Sequence, residues 1–489
     1  MRNIVSHSTV PWPARRQGAF YTFFVNNRVY LWKNNMTSLG ISTSRKSFFN
    51  LFSLTVATIF INNFPVHAEE KISDNQEGKK TLESLNLATS KDQKKDADKM
   101  SHKAEGVISL DVTASNNKIY LLLGKNIKGQ TSLWLQISNN NAASWSRETE
   151  IPIPTASGAT ISRGSDARIV KAGKSIIVLW MSHVEGARFG SGPMVAMRSL
   201  DEGKSWEQVQ GPADWMNGPH GFFSLTYSRN ILHATWLDKR DPQLSTPGSQ
   251  GLRYAYSQDE GKTWSSNMTL DDVVCACCWT KSLGDKNGNL YVLYRDKQPS
   301  DMAIGVVSSK HTWSRLSTVG KFDWEFSGCP HIGGGLVIKQ NGSKEELHAI
   351  IGTRKQEAAG IYHLMSQDSG KYWSAPMQLG DSSATHGDIT IDQTGKIYAV
   401  WDMVDPETKD GSMAIFLSHS NNGRKWQSQI KLSYKGSSAS HPRIIAQGAG
   451  VVVLWTEKDN HGVSALNLFK FNDLKERLRS IPPAAATFQ

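Results

Sequence analysis

The 489-residue sequence lacks the glycine pattern of a dinucleotide-binding fold, a P-loop and any nucleic-acid motif, which leaves nucleotide-dependent and nucleic-acid functions without a carrier. Cysteine is scarce, with four in all: Cys275, Cys277, Cys278 and Cys329. Long apolar runs are missing too. The one candidate, Phe48 to Ile61, is shorter than the roughly 20 residues a membrane-spanning helix needs. Acidic residues are absent from positions 1–68, which hold seven Lys or Arg. Setting that segment aside lowers the formal charge from +11 to +4, so no basic surface for nucleic acid or membrane is implied.

What the first 68 residues do contain has the layout of an export signal. Arg45 and Lys46 precede the apolar run, and Val66-His67-Ala68 places small residues where a signal peptidase reads them. Cleavage after Ala68, with Met36 as the natural start, predicts a periplasmic or secreted protein without a stable membrane span; an uncleaved anchor is the alternative. Residues 69–105 are rich in Lys, Glu, Asp, Ser and Gln and read as a solvated linker. Residues 473–489 read as a C-terminal tail that begins with a short helix.

The stretch between, 106–472, is repetitive. A short apolar strand recurs roughly every 55 residues, as Ile119–Leu123, Ile176–Trp180, Leu232–Trp236, Leu290–Tyr294, Leu347–Ile351, Ile397–Trp401 and Val451–Trp455. A second element is the turn Ser-x-Asp-x-Gly-x-x-Trp, complete at Ser199–Trp206, Ser257–Trp264 and Ser366–Trp373, with weaker copies ending at Trp145, Trp313 and Trp426. The Asp accepts backbone N–H groups of its own turn, the Gly supplies positive φ and the Trp packs between sheets. Each unit reads as four antiparallel strands, and radial repetition of such units predicts an all-β fold, a β-propeller. Seven inner strands, starting near 106, 166, 220, 276, 330, 386 and 441, favour seven blades over six.

If the turns lie on one face of the propeller, the inner-strand starts lie on the other. Those starts bring Asp166, His220, Cys275, Cys277, Cys278, Cys329, His331, His386 and His441 to equivalent points. Strand alternation would put Cys275 and Cys277 on one side and Cys278 on the other. One or two disulfides, one of them to Cys329, compete with a thiolate–imidazole site on Cys275, Cys277, Cys278, Cys329 and His331, whose soft ligands favour copper or zinc. Asp166, Arg168, His220, His386 and His441 are candidate ligand-binding residues. The ends of the second strands add His183, Asp238, Arg240, Arg295, Asp296, Arg354, Asp402 and Glu457 to this face. Arginines beside carboxylates there could bind an acidic sugar and move protons. Arg295 with Asp296, and Asp238 with Arg240, read more simply as ion pairs between adjacent loops.

The Asp-box turns, spread over residues 138–426, resemble those of the sialidase (BNR-repeat) superfamily. The segments Cys275-Ala-Cys-Cys-Trp279 and Gly328-Cys-Pro-His-Ile-Gly-Gly-Gly335 resemble an exported bacterial subgroup of it. The resemblance implies a propeller and a carbohydrate or small-molecule ligand. For an exo-sialidase type of glycoside hydrolase it also implies three substrate-binding arginines, for which Arg168, Arg295 and Arg354 are the candidates. Asp238 and Asp402 are then candidate catalytic carboxylates beside Arg295 and Arg354. The family's Phe/Tyr-Arg-Ile-Pro segment has its nearest equivalents in Ala167-Arg-Ile-Val170 and Pro442-Arg-Ile-Ile445. Neither completes it, and the cysteine-rich centre is foreign to sialidases.

Overall fold

The computed structural model describes residues 20–25, 28–33, 105–240, 249–434 and 438–471. The chain forms two compact units, 1–76 and 77–489. In the first, β1 (Phe20–Val25) and β2 (Arg28–Lys33) pair as an antiparallel hairpin, from Phe20 opposite Lys33 to Val25 opposite Arg28. The apolar run and cleavage segment up to Ala68, the linker up to 104 and the tail lie outside the described residues. No described helix is long and apolar enough to cross a membrane.

The second unit is a β-propeller of antiparallel four-stranded blades. Its first blade is β3 (Glu105–Ser115), β4 (Lys118–Ile127), β5 (Gln130–Ser138) and β6 (Thr149–Ile151). Then come β7 (Arg168–Ala172), β8 (Ser175–His183), β9 (Ser191–Ser199) and β10 (Glu207–Val209), followed by β11 (His220–Ser228), β12 (Ile231–Asp238), β13 (Ser249–Ser257) and β14 (Met268–Cys275). Next are β15 (Lys281–Gly284), β16 (Leu290–Arg295), β17 (Met302–Val307) and β18 (Trp313–Val319), then β19 (Gly334–Asn341), β20 (Lys344–Thr353), β21 (Gly360–Ser366) and β22 (Met377–Gly380). After β23 (Gly387–Ile391), β24 (Ile397–Val404), β25 (Met413–Ser420) and β26 (Ile430–Lys431), the chain ends its strands with β27 (Ser438–Gln447), β28 (Gly450–Lys458) and β29 (Val463–Phe471). A short parallel pairing, Val463 with Glu105 and Ser464 with Gly106, joins β29 to β3 and makes one seven-stranded sheet of β27–β29 and β3–β6. Inner strands touch in chain order, β3 to β7 and onward to β27, and β27 returns to β3.

All seven apolar repeats are second strands, β4, β8, β12, β16, β20, β24 and β28. Each lies between two neighbours of its own sheet and is covered on both faces by adjacent blades, so it reads as an unbroken apolar run. Trp180, Trp236, Trp401 and Trp455 end four of them, fully or nearly fully buried. The Asp-box turns behave as the sequence predicts. Asp259 accepts the Thr263 N–H at 2.8 Å and the Ser257 hydroxyl at 2.7 Å, while Ser257 accepts the Gly261 N–H at 2.8 Å. Asp201 and Asp368 repeat this pattern, and Asn140 and Asn422 imitate it in two weaker copies.

Two placements differ from expectation. The fourth and fifth inner strands start at Lys281 and Gly334, not near 276 and 330. Cys275 is instead the last residue of the outer strand β14, and Cys277 and Cys278 follow in a turn. Strand alternation therefore does not separate the three thiols. The turn folds them back on one another.

Candidate functional site

The turn after β14 gathers three buried thiols. Cys275 Sγ lies 3.1 Å from Cys278 Sγ and 3.9 Å from Cys277 Sγ, and one ligand atom from each residue lies within 4.8 Å of the others. All four cysteines are free thiols, and Cys329, from the loop before β19, is exposed and hydrogen-bonds Cys277. Hydrogen bonds from Cys277, then Cys278, pull the Cys275 thiol down to about 3 against the effect of burial. The Cys275 contact, followed by those of Cys278 and Cys329 and by burial, pushes Cys277 up, while burial and then the Cys275 contact push Cys278 up. Cys329 falls to about 7 through its bond with Cys277. The cluster thus favours negative charge on Cys275 and the neutral thiol on Cys277 and Cys278. Phe222, at φ 55° in a bulge of β11, packs against it. His331, also at positive φ, stands beside Cys275 and His386. Desolvation holds its ring below the usual imidazole value, the Cys275 thiolate opposes this and His386 adds to it.

Next to the thiols is a cavity of about 280 Å³ including its mouth, lined by Arg163, Asp166, Arg168, Trp279, His386, His441 and Arg443 among others. The loop into β7 supplies the first two residues, and Arg168 opens β7 itself. Asp166 is ion-paired to Arg163 and accepts the Leu110 N–H at 2.9 Å and the Gly164 N–H at 3.1 Å. Arg163 also reaches across to β27 and β28, donating to the His441 carbonyl and, at 3.1 Å, to Thr456 Oγ1. Asp111 of β3 joins Arg168, at 3.3 Å, to Arg443, at 2.8 Å. Burial alone would raise the Asp111 carboxyl, but these two guanidinium groups hold it below the ordinary value.

At the cavity edge, Asp402 at the end of β24 is fully buried. Its Oδ2 lies 2.6 Å from His386 Nδ1 and accepts the His441 N–H at 2.9 Å. Its Oδ1 accepts the Thr385 hydroxyl at 2.5 Å and the His386 N–H at 2.9 Å. Burial would raise the carboxyl, but the charge and hydrogen bond of His386 hold it far below the carboxylate range. The His386 and His441 rings stack with centroids 3.6 Å apart and 18° between planes, and the Trp279 indole tilts against both. His441 sits at φ 52° in a bulge of β27, which turns its ring out of the ladder. Burial, then His386 and Arg163, keep it well below the usual histidine value.

The structure therefore brings Asp166, Arg168, His386 and His441 to one cavity, adds Asp402 behind it, and sets Cys275, Cys277, Cys278, Cys329 and His331 beside it. It leaves the other candidates elsewhere. His220 is fully buried, accepts the Met194 N–H at 3.0 Å and is lowered to about 4 by burial. Asp238 is the hub of an ion network with Arg240 at 2.7 Å and Arg253 at 2.9 Å, as the simpler reading expects. Arg295 does not pair with Asp296, which binds Arg315 at 2.9 Å. Its guanidinium instead donates to the carbonyls of Ile332, Ser300 and Gly352, which leaves no free edge for a substrate carboxylate. Arg354 is exposed and outside the cavity lining. Of the residues the sequence reading did not select, Arg443 carries the clearest signal, because it lies two positions beyond His441 on the same strand.

Residues 248–454 match the family model of the BNR repeat-like domain. No curated protein matches the chain. Among solved structures, the chain is similar to a mutant NanB sialidase from Streptococcus pneumoniae, at 12% identity over 74% of this chain and 67% of that one, with a TM-score of 0.40. The intramolecular trans-sialidase from Ruminococcus gnavus, in complex with oseltamivir carboxylate, gives 13% identity, 77% and 96% coverage and a TM-score of 0.41. The polysaccharide lyase Uly1 gives 10% identity, 75% and 89% coverage and a TM-score of 0.48.

Proposed function

We propose that this chain, a member of the sialidase/BNR-repeat superfamily, is an exported propeller that binds a soft metal ion, copper(I) or zinc(II), through Cys275, Cys277 and Cys278, with Cys329 and His331 at the rim. The carrying observation is the convergence of three buried sulfurs within 4.8 Å in one turn. Zinc–sulfur bonds of about 2.3 Å put tetrahedral sulfurs about 3.8 Å apart, and Cys275 and Cys277 already stand at 3.9 Å. Export to the periplasm or beyond is part of this reading and rests on the Arg45–Ala68 leader. We count seven blades, because β27 packs between neighbouring inner strands as the other six do.

Protein purified anaerobically is expected to hold about one copper or zinc ion more per chain than a variant with all four cysteines changed to serine, and to release four titratable thiols after chelation. Fewer than four titratable thiols and no bound metal in protein purified without reductant would mean disulfides and overturn the proposal. A second reading, glycoside hydrolysis of the exo-sialidase type, draws support from Arg163, Arg168 and Arg443 around one cavity with Asp166. Each of these arginines already has protein partners, which favours the first reading. Turnover of a fluorogenic sialoside, abolished in Arg443→Ala, would transfer the conclusion to the second.

A further inference from the structure

We propose that His386, Asp402 and His441 form a second metal site, for a borderline divalent transition ion of the zinc class, separate in ligand chemistry from the thiol cluster. One ligand atom from each lies within 4.8 Å of the others. Two features of the site call for a cation. Asp402 is fully buried, and among the described residues no lysine or arginine pairs with it; its side-chain partners are the His386 ring and the Thr385 hydroxyl. A carboxylate taken out of water needs a counter-charge. The second feature is His441 Nδ1, which is buried without a hydrogen-bond partner. Its ring is held at positive φ in the bulge of β27, with Nε2 towards Gly164. A buried ring nitrogen with no hydrogen-bond partner is rare in a native structure, and in the tautomer that leaves Nδ1 bare it is free to take a metal ion.

The donor set fixes the class of ion. Two imidazoles and one carboxylate suit zinc-like divalent ions, and such three-ligand sets keep a fourth position for water or a ligand. Calcium and magnesium need six or more oxygens, and this site offers one carboxylate. Both histidines line the cavity, so the fourth ligand comes from there. Arg163, the cation beside His441, is neutralised by its ion pair with Asp166. Binding exchanges the 2.6 Å His386–Asp402 contact for a bond from each of the two residues to the ion.

The test is zinc stoichiometry and affinity on the full chain, in wild type and in a variant with all four cysteines changed to serine. The cysteine-free variant is expected to keep one zinc per chain. His441→Ala and His386→Ala in that background should weaken it by more than the roughly 10–100-fold that loss of an outer-shell partner costs, with an unchanged circular dichroism spectrum. Unchanged zinc affinity in those folded variants, or calcium competing as well as zinc, overturns the proposal. Cobalt(II) loading of the wild type covers the case in which a variant fails to fold. A cobalt equivalent that binds after sulfur charge-transfer absorption has saturated, and adds visible bands of its own, is expected from this site, and its absence overturns the proposal. Sulfur charge transfer reports the thiol site on its own, so the two readings fail independently.

Discussion

Asp259 bonds only to its own turn, yet its carboxylate holds that turn closed through one backbone N–H and two hydroxyls. Burial is the largest single effect and raises its carboxyl, but the hydrogen bonds of Thr263, Ser257 and Lys262 together outweigh it and bring it down to about 2. Asp259→Ala removes charge-assisted bonds of the kind worth about 1.5–3 kcal/mol when shielded. Exposure reduces this, and a loss of about 1 kcal/mol is expected. Chemical denaturation checks it, and Asp259→Asn, which keeps an acceptor as Asn140 and Asn422 do, should recover part of the loss. At this scale the sequence is informative wherever partners are close along the chain. The Asp boxes and the cysteine triplet are legible because donor, acceptor or sulfur lie within four residues of each other. Arg163 is not legible, because its partners His441 and Thr456 lie 278 and 293 residues away.

Second strands announce themselves because both of their faces are covered, whereas the outer strands β6, β10 and β26 have only three, three and two residues and barely register as a pattern. The misplaced starts of β15 and β19 have a related cause. The repeat spacing alone assigns the cysteines and His331 to strands, whereas the close approach of three sulfurs requires a turn. The last unit has only three strands of its own, β27–β29, and β3 joins them in a parallel sense that no local pattern announces. Gly106 makes that closure possible: its φ is 87°, and a Cβ would fall 2.1 Å from the Ser464 carbonyl oxygen. Gly129 has a similar φ of 82° with nothing within 4 Å. Gly129→Ala is therefore expected to cost only the backbone strain of about 1–3 kcal/mol, and Gly106→Ala to lower the melting temperature further. Equal melting temperatures for the two variants would show that the β29–β3 pairing bears no load.

Over the whole molecule, buried neutral histidines set the response to acid. Burial lowers His220, His233 and His348 to about 4 and His363 to about 3, from an ordinary value of 6.5. At pH 7 these rings are neutral folded or unfolded. Between 6.5 and about 4 the unfolded chain binds protons that the folded chain does not, so stability falls as pH falls through that window. Thermal melts from pH 7.5 to 4.5 should show a steadily decreasing midpoint, and a flat profile would refute this account. The contact of β29 with β3 has a consequence in time as well. Every other strand pairing in the propeller joins sequence neighbours, so blades can form locally and early, while this one closes a loop of more than 350 residues. Arg163 reaches His441 only when the ring closes, and the cavity between them has no earlier existence. Blades folded in an open chain would be stable and silent, and ligand or ion capture at His386 and His441 would date the final step of folding.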